Sequence, residues 1–326
     1  MCPGFFPVHA AETTGELVRT GPTSENAGMD LTTMTPLSGG CSGETFVAEV
    51  AGERSVVRIY AGASHRGANA HEVDAALLRL VRGLVPVPEV LEVRRADPAA
   101  DHPALLVTSF LPGVRGDLLL PDLDERGLAL LGGRLGRILA DLAGMPMLRP
   151  GPFFDGDLAI GSFSAEGERI DGLAEFVALH EQAFLHWSQA ELEGLRQVAT
   201  DAQALLDTVG RFCLVHSDVN PKNLLVDPDT LEVTGLLDWE FAHAGHPYTD
   251  LGNLLRFDRQ PAFAEAVLDT YTARHGGTRE GSLDLARAAD LWALVDLAAR
   301  RGQNPVADRA HERLRAITRT GDLHAT

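Results

Sequence analysis

Two carboxylates and a carboxamide lie close together along one stretch of the chain. Asp218 and Asn223 belong to His-Ser-Asp-Val-Asn-Pro-Lys-Asn over positions 216–223, and Asp238 opens Asp-Trp-Glu at 238–240. Their oxygens are hard ligands, suited to magnesium carrying phosphates rather than to zinc. Between them run an apolar segment at 224–226, a turn at 227–230 and a second apolar segment at 233–237. Two strands joined by a turn bring their flanks together, so Asp218, Asn223 and Asp238 are expected to meet at one end of a hairpin.

Other chemistries fit less well. Lys222 is the only lysine of the chain and lies in Asn-Pro-Lys-Asn. A Walker A loop needs Gly-Lys-Ser/Thr, so that mode of phosphate binding is excluded. A Schiff base would have to form on this same residue, between Pro221 and Asn223. His216, Asp218, His243 and His246 suggest a metallohydrolase, but no His-x-His-x-Asp-His or His-Glu-x-x-His motif accompanies them. Cys2, Cys41 and Cys213 are odd in number and at no metal-ligand spacing, which reads as reduced thiols in a cytoplasmic protein.

The elements that must position the site divide the chain in three. Residues 1–33 mix Pro, Gly, Thr and Ser and are expected to form a poorly ordered leader, lacking the basic and apolar regions of a signal peptide. Residues 34–110 read as a β-rich N-terminal lobe: strands at 45–50 and 55–60 around a turn at 51–54, a helix over 68–84, then strands at 90–93 and 105–110. Val73, Ala76, Leu77, Leu80, Val81 and Leu84 give that helix one apolar stripe. Residues 111–326 read as a mainly helical C-terminal lobe, with helices over a stripe at 128–142 and at 171–187, 189–209, 260–275, 281–301 and 304–319. The strand-rich island 212–240 interrupts them. The fold class is therefore α+β, in two lobes.

The chain has 326 residues, 45% of them hydrophobic and 23% charged, as expected of a soluble globular protein with a full core. No apolar run is long enough to span a bilayer. A formal net charge of −18 disfavours nucleic acid and anionic membranes as partners. It fits a cationic substrate or simply a solvated acidic surface.

His-x-Asp-x-x-x-x-Asn followed by a strand and a second Asp resembles the catalytic signature of the protein-kinase-like superfamily. The form found here, with Asp-Trp-Glu at 238–240 and Gly245, Pro247, Asp250 and Leu251 in Gly-x-Pro-x-x-Asp-Leu, is similar to the aminoglycoside phosphotransferase and choline kinase-like branch. The resemblance runs over about residues 37–257 and implies a bilobal kinase-like fold using ATP and Mg2+. It assigns Asp218 to the substrate hydroxyl, Asn223 and Asp238 to magnesium, and His216 and Asp250 to bracing the loop.

The same resemblance gives the nucleotide its expected contacts. Gly39, Gly40, Ser42 and Gly43 stand where the branch has its phosphate-covering loop, and glycine lets backbone N–H groups approach phosphate. Arg58 stands at the strand position of the usual lysine, with Glu72 of the following helix as its expected ion-pair partner. Ser109, Phe110 and Leu111 resemble the hinge that holds adenine.

Asp250 follows Asp238 by only 12 positions, with no Ala-Pro-Glu-like element, so no platform for a protein substrate is evident. The expected acceptor is a hydroxyl of a small molecule: an aminoglycoside-like or other antibiotic, or alternatively an amino alcohol or sugar metabolite. Asp155, Asp157, Glu175, Glu181, Glu240 and Asp258 are the carboxylates that could face a cationic acceptor, Glu240 and Asp258 foremost. The departure at Arg58 also motivates a rival, a nucleotide-binding pseudokinase with a regulatory role.

Overall fold

The computed structural model of the chain describes residues 33–37, 44–61, 66–165, 168–257 and 259–326. Residues 1–32 of the expected leader, together with Gly39, Gly40, Ser42, Gly43 and Asp258, lie outside them.

Strands β1 (Thr33–Pro36), β2 (Glu44–Val50), β3 (Glu53–Tyr60), β4 (Val90–Arg94) and β5 (Ala104–Ser109) form one antiparallel sheet in the order β1-β2-β3-β5-β4. The expected hairpin closes with Ala51 at φ 52° and Gly52 at φ 83°. Two left-handed residues supply the twist that a two-residue connection needs between right-twisted strands. Helix α1 (Ala70–Val81) links β3 to β4 and buries Val73, Leu77 and Val81. It is shorter than the span 68–84 read from its stripe. Arg82 is extended and Gly83 left-handed, which stops the helix before Pro86.

Beyond the sheet lie α2 (Gly116–Leu119), α3 (Glu125–Ala143), α4 (Leu173–His180), α5 (Gln189–Leu206), α6 (Thr249–Leu255), α7 (Pro261–His275), α8 (Arg279–Ala299) and α9 (Pro305–Thr320). Of the span 171–187 expected as one helix only Leu173–His180 is α-helical, with a 3-10 turn over Glu181–Phe184, while α5 starts where expected, on the capping box of Ser188 and Glu191. Helix α6 was not foreseen: all seven of its residues are buried, so it shows no amphipathic period.

Among the described residues, the short strands β6 (Val114–Arg115), β7 (Pro146–Met147), β8 (Gly151–Pro152), β9 (Ser164–Ala165), β10 (Glu168–Arg169), β11 (Phe212–Val215), β12 (Leu224–Val226), β13 (Val233–Leu236) and β14 (His243–Gly245) lie outside that sheet. They form sheets in the orders β7-β11-β14-β8 and β13-β12-β6, and the hairpin of β9 and β10.

Helices α3 and α7 anchor the core. Leu131, Leu135, Leu139 and Leu142 are fully buried with Phe263, Val267 and Tyr271, each leucine contributing roughly 1.5–3 kcal/mol relative to exposure. A Cβ at Gly132 or Gly136 would lie 2.5 Å from the carbonyl oxygen of Phe263 or Val267, so glycine allows the two helices their close approach. Val73, Leu77, Val81 and Leu106 from the sheet side join the same apolar cluster as Trp239 and the C-terminal helices. The cluster thus fixes the two parts of the molecule against each other at the site. No helix among the described residues is long and apolar enough to cross a membrane.

Candidate active site

Strand β11 delivers the chain into the loop at 216–223. The backbone N–H groups of His216 and Ser217 donate to the two carboxylate oxygens of Asp250, at 2.9 and 2.7 Å. Asp250 lies in the first turn of α6 and is buried. Burial pushes its carboxyl up to about 6 against those two hydrogen bonds. His216 donates through Nε2 to the Leu237 carbonyl at 2.9 Å and accepts the Asp218 N–H on Nδ1 at 3.2 Å, a tautomer assigned from these partners. Burial pushes this imidazole down to about 4, so it is neutral at physiological pH. Its ring meets Trp239 edge-on with centroids 4.7 Å apart.

The loop then closes on Asp218. Asn223 Nδ2 donates to Asp218 Oδ2 at 2.8 Å and to its carbonyl at 3.0 Å, while Asn220 Nδ2 donates to Oδ1 at 3.0 Å. Burial raises the Asp218 carboxyl to about 6, and the two amides and Arg256 oppose that rise. The 3-10 turn Pro221–Asn223 leaves Lys222 exposed, its N–H donating to Asn220 Oδ1 at 3.0 Å.

Strands β12 and β13 pair with Leu224 opposite Leu236, and Leu237 N–H donates to the Asn223 carbonyl at 2.8 Å. The structure therefore brings Asp218, Asn223 and Asp238 to the same end of this hairpin. Asp238 has left-handed backbone, φ 65° and ψ 64°, a conformation that aspartate tolerates better than most residues. Burial and then the negative charge of Glu240 push its carboxyl up to about 7; Arg58 opposes them and Asp218 adds to them. Two carboxylates under mutual repulsion, beside an amide oxygen whose Nδ2 partner is already engaged, are a donor set that gains from a hard divalent cation.

Arg58 comes from β3. Its Nη2 donates to Glu240 Oε2 at 2.7 Å, and Nη1 stands 3.5 Å from Asp238 Oδ1 and 3.7 Å from Asp74 Oδ2. Burial alone would lower the arginine pKa, but Asp74, Asp238 and Glu240 outweigh it and raise the pKa. Two expectations are corrected here. Glu72 does not hold Arg58; it pairs with Arg95 at the surface. Positions 72 and 74 lie about 200° apart round a helix, and it is Asp74 that faces inward, 4% exposed. Glu240, expected to face an acceptor, is buried with its carboxylate on Arg58.

Asp74 also accepts from Tyr60 Oη at 2.7 Å and pairs with Arg66. Arg66 Nη2 donates to the carbonyls of Trp239 at 2.9 Å and Ala242 at 2.7 Å. The sequence reading passed over Tyr60, Arg66 and Asp74. The one available signal was a carboxylate set directly beside Val73 in the apolar stripe of α1.

At the expected hinge, Ser109 donates its N–H to the Glu89 carbonyl at 2.8 Å and its hydroxyl accepts the Glu89 N–H at 2.9 Å, so the N–H of Ser109 is not offered to adenine. Phe110 lies under the guanidinium of Arg54, 3.9 Å from the ring centre. Leu111 packs beside Gly235. Among the other carboxylates, Asp155 accepts from the N–H groups of Asp157 and Ala159 in its own loop, and Glu181 pairs with Arg196. Glu240 and Arg66 also line a cavity of about 230 Å3, walled by Phe153, Phe154, Phe163 and His243. Among the described residues, no three His, Cys, Asp or Glu side chains gather as metal ligands, and His243 Nδ1 is engaged by the Phe241 carbonyl at 2.9 Å.

Comparisons with known proteins agree with this architecture. An aminoglycoside 3'-phosphotransferase of Streptomyces fradiae is 28% identical over 211 residues, 62% of this chain and 70% of its own. Another, of Streptomyces ribosidificus, is 30% identical over 207 residues, 60% of this chain and 71% of its own. The crystal structure of a thermostable mutant of aminoglycoside phosphotransferase APH(4)-Ia, a ternary complex with AMP-PNP and hygromycin B, superposes with a TM-score of 0.61. At 21% identity it covers 89% of this chain and 94% of that one and supports the α+β kinase-like fold. The model of the phosphotransferase enzyme family designated APH matches residues 33–283, and the chain belongs to that family.

Proposed function

We propose that the protein transfers the γ-phosphoryl group of ATP, with Mg2+, to a hydroxyl of a small molecule, an aminoglycoside-like antibiotic first among the candidates. One observation carries this reading: the meeting of Asp218, Asn223 and Asp238 at the end of the β12–β13 hairpin, tied by the Asn223 amide and the Leu237 N–H.

Asp218, ionised above about pH 6, orients the acceptor hydroxyl and takes up its proton. Asn223 and Asp238 would hold magnesium, which would offset the negative charge developing in phosphoryl transfer. Arg58, held by Glu240, presents a fixed positive charge toward the phosphates beside Asp238. Asp250 and His216 hold the loop so that neither Asp218 nor Asn223 has to reorganise during the reaction. The names of the Streptomyces relatives support an aminoglycoside acceptor, and the net charge of −18 suits a polycation.

The pairing of Arg58 with Glu240 also favours a second reading, nucleotide binding without turnover. Magnesium-dependent ADP release across aminoglycosides, peptide antibiotics, macrolides, amino alcohols and sugars separates the two. Acceptor-stimulated release that drops roughly 10²–10⁴-fold in Asp218→Asn, with nucleotide binding retained, is the expected result. Unchanged turnover in that variant sinks the role given to Asp218. ATP binding without release for any acceptor favours the second reading.

A further inference from the structure

We propose that Arg66 is a positioning residue: it latches helix α1 to the turn that follows Asp238, and through that turn it sets Glu240 against Arg58. The inference rests on the reading of Arg58 and Asp238 as nucleotide and magnesium contacts, and it assigns a task to a residue outside the motifs.

The geometry is a fork with two destinations. Nη1 of Arg66 pairs with Asp74 on α1, while Nη2 reaches the carbonyls of Trp239 and Ala242. These carbonyls bracket Glu240: Trp239 precedes it in the 3-10 turn Trp239–Phe241, and Ala242 closes that turn with its N–H on the Trp239 carbonyl at 3.0 Å. A planar guanidinium serves three acceptors in fixed directions, which an ammonium on a flexible stem cannot match. The Arg66 side chain is 4% exposed, so water competes little for these bonds.

Charge balance gives the latch its second effect. Asp74, Asp238 and Glu240 share a buried region with Arg58 and Arg66. Asp74 stands 3.7 Å from Arg58 Nη1 but is held mainly by Arg66 and Tyr60. Without Arg66, Asp74 becomes a competitor for Arg58 and draws it away from Glu240 and the nucleotide. In this chain, then, α1 holds the strand arginine only by the longer Arg58–Asp74 ion pair, at 3.7 Å. Its carboxylate is satisfied by a second arginine, and Arg58 takes its main partner from the turn after Asp238.

The test uses the full chain and two readouts that need no acceptor: calorimetric Kd for MgATP, and hydrogen exchange of the amides at 239–245. Arg66→Met is expected to weaken MgATP binding about tenfold and to speed exchange in that segment by a similar factor, as the loss of hydrogen bonds to a charged donor implies, with α3 and α7 unchanged. Adding Asp74→Asn should restore much of the MgATP affinity, because the competitor for Arg58 is then neutral. A merely structural arginine would lower the folded fraction without that rescue.

Should the methionine variant not fold, Arg66→Lys carries the test. It keeps the charge beside Asp74, should melt within about 3 °C of wild type, and should still weaken MgATP binding about threefold with faster exchange at 239–245. Unchanged MgATP affinity in either folded variant, or exchange that quickens everywhere alike, overturns the latch. A wild type that binds MgATP but phosphorylates no acceptor overturns the proposed function and leaves the latch standing on these readouts. A wild type that does not bind MgATP overturns both.

Discussion

The loop at 216–223 and the cluster around Arg58 border the same carboxylate, Asp238, yet they are built by opposite means. In the loop, the partners of Asp218 are two to five positions away, and each bond is made by a backbone group or a short amide. In the cluster, Arg58 reaches Glu240 across 182 positions and Arg66 reaches Ala242 across 176. Local bonds form with little loop-closure cost, whereas the distant ones exist only while the sheet and the helical part stay packed. The loop is thus expected to hold its geometry through modest perturbation, and the cluster to register any shift between the two parts.

Four changes sharpen or break that contrast. The largest effect is expected of Asp238→Ala, which removes a carboxylate common to both regions. Nucleotide affinity should lose its magnesium dependence and turnover should fall by more than about 100-fold, given the several kcal/mol a metal clamp contributes. Magnesium-linked affinity that survives would remove Asp238 from the metal role.

Asp250→Ala tests the loop from beneath. Two buried N–H groups lose their acceptor, at about 1–3 kcal/mol each, so urea unfolding should show a loss of roughly 2–5 kcal/mol. Stability within 1 kcal/mol of wild type, roughly the worth of one ordinary hydrogen bond, would mean that the loop does not depend on α6.

Acid gives a smaller, graded effect. In the proposed mechanism a protonated Asp218 could not accept the hydroxyl proton, and burial raises its pKa to about 6. Activity should therefore be lost as pH falls through about 6, not through the ordinary aspartate range near 4. A kcat/KM profile flat down to pH 5 would contradict the burial that raises it.

The smallest effect is expected of Glu72→Gln. Its partner Arg95 is a surface side chain, so stability should move by less than about 1 kcal/mol and turnover hardly at all. A tenfold loss would reinstate Glu72 in the cluster.

This contrast also explains what the sequence disclosed. The hairpin at 51–52, the stripe of α3 and the gathering of Asp218, Asn223 and Asp238 follow from short-range periods and turn chemistry, and all three are visible in the residues alone. The choice of Asp74 over Glu72 depends on the rotation of α1 against β3, and the partner of Arg66 depends on how two parts of the chain dock. No local pattern encodes either. Helix α6 was hidden for another reason: buried on every side, it lacks the polar face by which a helix of globular proteins is recognised.

The exposed side chain of Lys222 has a practical consequence. Because it is the only lysine of the chain and lies immediately before Asn223, an amine-directed dye has, besides the α-amino group, a single side chain to label. A fluorophore placed there reports from the rim of the loop at 216–223 without any cysteine being introduced. By the same token, acylation, reductive methylation or coupling to an activated resin modifies this loop and nothing else among the side-chain amines. Loss of activity after such treatment reports on this position or on the α-amino group.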